Sequence, residues 1–394
     1  MSGLHPLVGH DDVRRAVGSA AAAGELSSAL LLHGPPGIGK QRFALWLGQL
    51  LLCTAPSPEP CGTCTSCRLS THLEHPDLHW FFRLPRPKVS GGSDKLGEAL
   101  EELRGEELAA RRADPRYPTG SAEATGIYLA HVQVLRRTAV ARPAMGSRKV
   151  FVVGDAEGLV PQEASPEAAN ALLKVLEEPP PDTTVILTAA DPESLLPTLR
   201  SRMLPVRMRQ LTEADVAAFL QRYRDLPLAR ANVIARLSQG SIGRALAFAA
   251  DADDAGPLEE VRRAARTLLD AVLTGQPSAR LQAAHAQAPA GARGNFAPLL
   301  EQLALWLRDL AVVVAGAEAL VVNVDAIEWL HDSARRLSRG GAGIPSALGA
   351  IDEAARLVQF NINPQLAMNA LLRELARELA PNQDRGRAPA SVGR

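Results

Sequence analysis

"SALLLHGPPGIGKQRFALWLGQLLLC", Ser28 to Cys53, decides the fold class. Its first residues are a short apolar run, the signature of a strand buried on both faces of a parallel sheet. Gly34, Gly37 and Gly39 then allow backbone amides to turn inward, and Lys40 stands where it can meet the outer phosphates of a nucleotide. From Gln41 onward the apolar residues recur at helical spacing. Strand, glycine loop and helix in that order are what a phosphate-binding loop requires, the helix lending its amino end to the anion. One position departs from the pattern. After the Lys the rule asks for Ser or Thr, whose hydroxyl holds Mg2+, and this chain has Gln41.

A second departure lies in "KVFVVGDAEGL", residues 149–159. The strand should end in an Asp that shares the metal, followed by a Glu that polarises water. Here Gly154 takes the first place and Asp155 the second. A glycine has no ligand atom. Sliding the frame by one makes Asp155 the ligand and Glu157 the base, but a one-residue slip reverses the face to which a strand residue points. The apolar run ends at Val153, which places Asp155 out in the loop. The first frame leaves a degenerate cradle of Gly34, Gly37, Gly39, Lys40, Gln41 and Asp155 that holds ATP and Mg2+ weakly and hydrolyses poorly. The second leaves a working ATPase.

Further buried strands are expected in "DLHWFF" (77–82) and "TTVILTAA" (183–190), with helices between them. The expectation is an α/β P-loop domain, a parallel sheet flanked by helices, over residues 1–207. Residues 83–126, rich in Pro, Gly, Ser and mixed charge around one helix, read as a partly flexible insertion. From about 208 the strand signal vanishes. Residues 208–254 read as a small helical lid, "DAGP" (254–257) as a breaker, 257–380 as an all-α domain, and 381–394 as a disordered polar tail.

The 394 residues carry 43 basic and 43 acidic side chains, so no global field draws the chain to nucleic acid. Aromatics are only 4%, which leaves the cores to Ala, Leu and Val. The first residues lack a basic run ahead of an apolar core, and no apolar run reaches the roughly 18 residues of a spanning helix, so a cytoplasmic location is expected. All four cysteines fall between Cys53 and Cys67. The spacing C-x7-C-x2-C-x2-C gathers Cys53, Cys61, Cys64 and Cys67 for a closed tetrahedral Zn2+ site of structural type. His72 and His75 are competing ligands, and a redox C-x-x-C pair is the other reading.

"LVGHDDV", "GPPGIGK", the cysteine cluster, "HPD", "NALLKVLEEPP" and "LLPTLRSR" follow one another as in the bacterial clamp-loader proteins of the AAA+ class, which this chain resembles over most of its length. The resemblance implies a subunit of a hetero-oligomeric ring in the replicative polymerase holoenzyme. That ring loads the sliding clamp on primed DNA, and residues 257–380 would form its collar. It also identifies the cysteine cluster as the family's zinc module. Ser201 and Arg202 match the first two residues of the family's Ser-Arg-Cys motif, Met203 replacing the Cys, which implies that Arg202 serves as an arginine finger at a neighbour's ATP. Gly243 stands at the sensor-two Arg position, and Ala189, beside Thr188, at sensor one. These losses, with Gln41 and Gly154, suggest a member that does not hydrolyse ATP itself. The alternatives are an ATP-hydrolysing motor subunit using Lys40 and Asp155, and a zinc-bearing AAA+ module outside replication.

Overall fold

The computed structural model describes residues 4–55, 57–89, 93–113, 125–159, 167–249, 256–285, 296–357 and 363–379. The expected disordered tail at 381–394 lies outside the described residues, as do 90–92 and 114–124 of the expected insertion and Asp254–Ala255 of the expected breaker. The chain forms two compact units, Met1–Phe219 with Gly240–Gly243, and Leu220–Gln239 with Arg244–Arg394.

The first unit is built on a five-stranded parallel sheet. Its strands are β1 (Ala29–His33), β2 (Leu78–Phe81), β5 (Lys149–Val153), β6 (Thr183–Ala189) and β7 (Leu204–Arg207), in the order β2-β5-β6-β1-β7. Two residues each of β3 (Leu84–Pro85) and β4 (Thr125–Gly126) make a small antiparallel link. Period-two alternation divides the central strands between two cores. Leu30, Leu32, Val150, Val152 and Ile186 pack towards α1 (Asp11–Ala23), α2 (Lys40–Leu52) and α4 (Ser93–Ala113). Leu31, Phe151, Val153, Val185 and Leu187 pack towards α5 (Leu129–Val140), α6 (Glu167–Glu177) and α7 (Pro197–Arg200). Both faces are covered, which is why β5 and β6 read as unbroken apolar runs.

β7 gave no such signal. It is an edge strand, largely exposed, and contains Pro205, tolerated there because an edge strand has one side on which no ladder donor is needed. Helix α4 is tied into its core, with Leu100 fully buried and Arg111 stacked 3.8 Å over Phe82 and 4.5 Å over Trp80. The "HPD" stretch has a local purpose. His75 Nδ1 accepts from Asp77 N, and the Asp77 carboxylate accepts the amides of Ala144, Met145 and Gly146 at 2.6–2.8 Å, fixing the approach to β5. Burial opposes ionisation of Asp77, yet the three amides outweigh it and hold the carboxyl below its usual range.

Beyond β7 come α8 (Glu213–Arg224), α9 (Leu228–Ser238) and α10 (Ile242–Phe248), and the second unit is helical. Its core joins α11 (Pro257–Leu273), α12 (Pro277–His285), α13 (Phe296–Val314), α14 (Ile327–Arg336), α15 (Ile344–Leu357) and α16 (Pro364–Leu379). Trp306, 1% exposed, donates to Arg262 O and meets Trp329 edge-on at 5.0 Å, so Trp306 belongs to the interior and the half-buried Trp329 packs against it. Asp309 is fully buried and accepts the amides of Val322 and Asn323.

Two imidazoles of the first unit generate a pH dependence. His79 stacks 4.9 Å from Phe151, and burial, reinforced by Arg104, lowers its pKa to about 4. Burial lowers His131 to about 4 as well. In both rings Nε2 is buried with no hydrogen-bond partner among the described residues. The unfolded chain protonates near the ordinary value of 6.5, so between that and about 4 it binds more protons than the folded chain. Stability must therefore fall on acidification, by roughly 2 kcal/mol per ring between about pH 7 and pH 5. Urea unfolding across that interval checks this. An unchanged pH slope in the His79→Gln/His131→Gln variant would exclude these rings as its source.

Candidate functional site

The loop between β1 and α2 carries positive φ at Gly37 (73°) and Gly39 (96°), a region in which side chains are strained, so the glycines are needed for the turn itself. A Cβ at Gly37 would stand 2.3 Å from Ser241 Oγ. Ser241 Oγ also donates to Pro36 O, and Gly243 N donates to Gly37 O at 2.9 Å. Gly243 thus presses its backbone against the loop, and the absence of a side chain there permits that approach, since a Cβ would lie 3.0 Å from Gly37 Cα.

Helix α2 begins with Lys40 and has no acidic residue in its first turn. Cations at a helix amino end oppose the macrodipole unless an anion belongs there. Lys40 is buried, its Nζ donating to the carbonyls of Gly34 and Pro35 at 2.8 Å. Burial lowers its pKa, and Asp155 and Glu157 pull it back upward. At the end of β1, burial followed by Arg207 and Lys40 lowers His33. Positive side chains thus gather at this turn.

The sheet order sets what faces this turn. β6 lies between β1 and β5, so the carboxyl ends of all three strands stand side by side, where α/β sheets bind ligands. Gly154 continues the line of β5, its N donating to Phe81 O at 2.7 Å. Asp155 then leaves the strand with φ 52° and donates its N to Thr188 Oγ1. Gln41 lies directly over Gly154. A Cβ there would be 2.3–2.9 Å from all three polar-end atoms of the Gln41 amide. That amide is held from both sides, Nε2 donating to Asp155 Oδ2 at 2.9 Å and Oε1 accepting from Trp80 Nε1 at 3.0 Å. Glu157, the base in the shifted frame, accepts the amides of Ala190 and, at 3.1 Å, Asp191.

The structure therefore brings together Gly34, Gly37, Gly39, Lys40, Gln41 and Asp155. Trp80 was missed from sequence; the available signal was a strand indole near the sheet's carboxyl edge whose N–H must find an acceptor when buried. Arg202 stands with other partners. Its guanidinium pairs with Glu177 at 2.8 Å and donates to Thr198 O, while Arg200 pairs with Glu193. Met203 is buried in the core on the α6 side, which accounts for an apolar residue after Arg202.

The four cysteines converge. Their sulfurs all lie within 4.8 Å of one another, with Cys61 and Cys67 3.9 Å apart. Four sulfurs about 2.3 Å from a central ion would be spaced just under 4 Å, so the cluster could hold a metal ion. Backbone amides of Cys61, Cys64 and Cys67 each donate to the preceding cysteine sulfur at 3.4 Å, which favours thiolates. Burial pushes Cys64 up, but amides from Thr54 and Cys67 outweigh it and bring the thiol down to about 6; burial pushes Cys67 up. His75 turns instead to Asp77. Among the described residues no helix is long and apolar enough to cross a membrane.

Comparison with known proteins adds four findings. The profile of the family described as "DNA polymerase III, delta subunit" matches residues 9–212. The chain is 32% identical over 338 residues to DNA polymerase III subunit delta' of Escherichia coli strain K12, covering 84% of this chain and 81% of the relative. It is 29% identical over 217 residues to DNA polymerase III subunit gamma/tau of Mycobacterium bovis, covering 55% of this chain and 30% of the relative. Among solved structures, a gamma subunit-related protein of Thermotoga maritima aligns over 92% of this chain and 99% of its own, at TM-score 0.39 and 16% identity.

The amide over Gly154 makes the two positions interdependent. Gly154→Ala should destabilise the chain by about 1–3 kcal/mol, because the methyl must displace a doubly hydrogen-bonded amide. In a Gln41→Ala background the same change should cost at least about 1 kcal/mol less. Urea denaturation of the four proteins measures the coupling, and strict additivity would show that the contact is not tight.

Proposed function

Because the chain belongs to the bacterial DNA polymerase III delta-subunit family of clamp loaders, we propose that it is a delta-prime-type subunit that helps load a sliding clamp on primed DNA without hydrolysing ATP itself. The similarity to the E. coli delta' subunit, which runs through most of both chains, carries this reading. In it, residues 1–207 act as the AAA+ part, 208–254 as its lid, and 257–380 as the collar that joins other subunits. The working location is the cytoplasm.

The clamped Gln41 amide supports the loss of hydrolysis, since the groups expected to hold Mg2+ are absent or engaged. Arg202 supplies a guanidinium in trans to the ATP of a neighbouring ATPase subunit, where charge on the transferring phosphoryl group is what catalysis needs. Its pair with Glu177 is half exposed on both sides, and such pairs contribute only about 0–1 kcal/mol. Exchanging that carboxylate for a polyphosphate therefore costs little. Cys53, Cys61, Cys64 and Cys67 would hold Zn2+, which closes the end of α2 and takes no part in turnover. The gamma/tau relative favours a second reading, an ATP-hydrolysing motor.

Two measurements test this. In a reconstituted loader, Arg202→Ala should lower turnover at the site it serves by about 10³-fold, while Lys40→Ala should alter it less than about twofold. The opposite ranking favours the motor. Metal analysis of the purified chain should return zinc, and removing it should lower the melting temperature. A metal-free chain of unaltered stability would sink the zinc assignment.

A further inference from the structure

Ligands for a divalent cation fail to converge at the loop. Gly154 offers no side-chain oxygen. The single oxygen of Gln41 accepts from Trp80 Nε1, and the nitrogen end presents N–H, not a lone pair, to Asp155. This orientation is dictated by the partners, because an indole can only donate and a carboxylate in this contact accepts. Trp80 is fixed in turn beneath Arg111. Glu157 is turned to β6, its Oε1 accepting the amides of Ala190 and Asp191. The hydroxyl after the Lys and the strand-end carboxylate that together hold Mg2+ are both missing, and the Asp155 carboxylate is engaged by Gln41.

The groups for an anion are intact: left-handed glycines, the buried Lys40, and a helix amino end without a carboxylate. The geometry points to a nucleotide site that works without a divalent cation, in which Lys40 and the loop amides hold the phosphates and the Gln41 amide stands in the cation's place. A primary amide has two N–H donors. One serves Asp155 and the other remains for a phosphate oxygen. Gln41 is then the residue that determines which form of the ligand enters, the free nucleoside di- or triphosphate and not its magnesium complex. This rests on the reading of the loop as a nucleotide cradle, and it assigns that cradle a static ligand.

The test is a fluorescence titration of the full chain with N-methylanthraniloyl-ADP, in excess Mg2+ and in buffer freed of divalent ions by resin before the protein is added. That procedure keeps chelator away from the cysteine cluster. Because Mg2+ sequesters the free nucleotide, binding should be at least about fivefold weaker in excess Mg2+ than in the divalent-free buffer. Lys40→Ala should weaken binding at least about tenfold, which locates the probe, and Gln41→Ala should weaken it about tenfold in both buffers. Gln41→Glu sets two carboxylates side by side and should reverse the Mg2+ dependence, binding more tightly when the cation is present. Binding of the wild-type chain that is equal or tighter in Mg2+, or no binding of the probe, overturns the inference. No other subunit is present in this titration, so its failure leaves the roles of Arg202 and of loader assembly standing, and their failure leaves the titration standing.

Discussion

Parity in the central strands is the constraint on which the rest depends. Val150 and Val152 face the α2 side of the sheet, and Phe151 and Val153 face the α6 side. Residue 154 continues the even series and so meets α2, where Gln41 lies over it. Residue 155 would be turned away, and the backbone uses the left-handed region to bring its carboxylate back towards that amide. A non-glycine residue in that region is uncommon and needs its surroundings to hold it. Thr188 on β6 and Gln41 on α2 do so, one at the amide and one at the carboxylate.

Helix α2 joins the two chemically distinctive places of the first unit. It starts at the glycine loop and ends at Cys53, whose sulfur accepts the amides of Ala55 and Cys61. Thirteen residues at 1.5 Å each span about 20 Å. Between those ends Phe43, Ala44 and Leu47 are fully buried, so the helix is packed along its length as well as pinned at its termini.

Much of this was legible in the sequence because it is local or periodic. β1, β5 and β6 are buried on both faces and read as apolar runs, and the cysteines announce themselves by spacing. β7 was not legible, since exposure and Pro205 remove both strand signals. The expected flexible insertion contains α4, anchored by Leu100 and by Arg111 over two aromatic rings, contacts that depend on partners distant in sequence. At the site, the loop and its two odd letters were visible, but their relation was not. Gln41 and Gly154 are 113 positions apart, and the indole between Gln41 and α4 belongs to a third segment. Only the folded sheet makes one substitution explain the other.

The contact between Gln41 and Gly154 also bears on how such a chain could change over generations. An acidic side chain arriving at 154 collides with the amide, while a hydroxyl arriving at 41 leaves Trp80 and Asp155 without their shared partner. Each step towards a metal-holding pair is thus penalised until the other has been taken. The two positions can therefore change only together, a coupling set by one small steric fact.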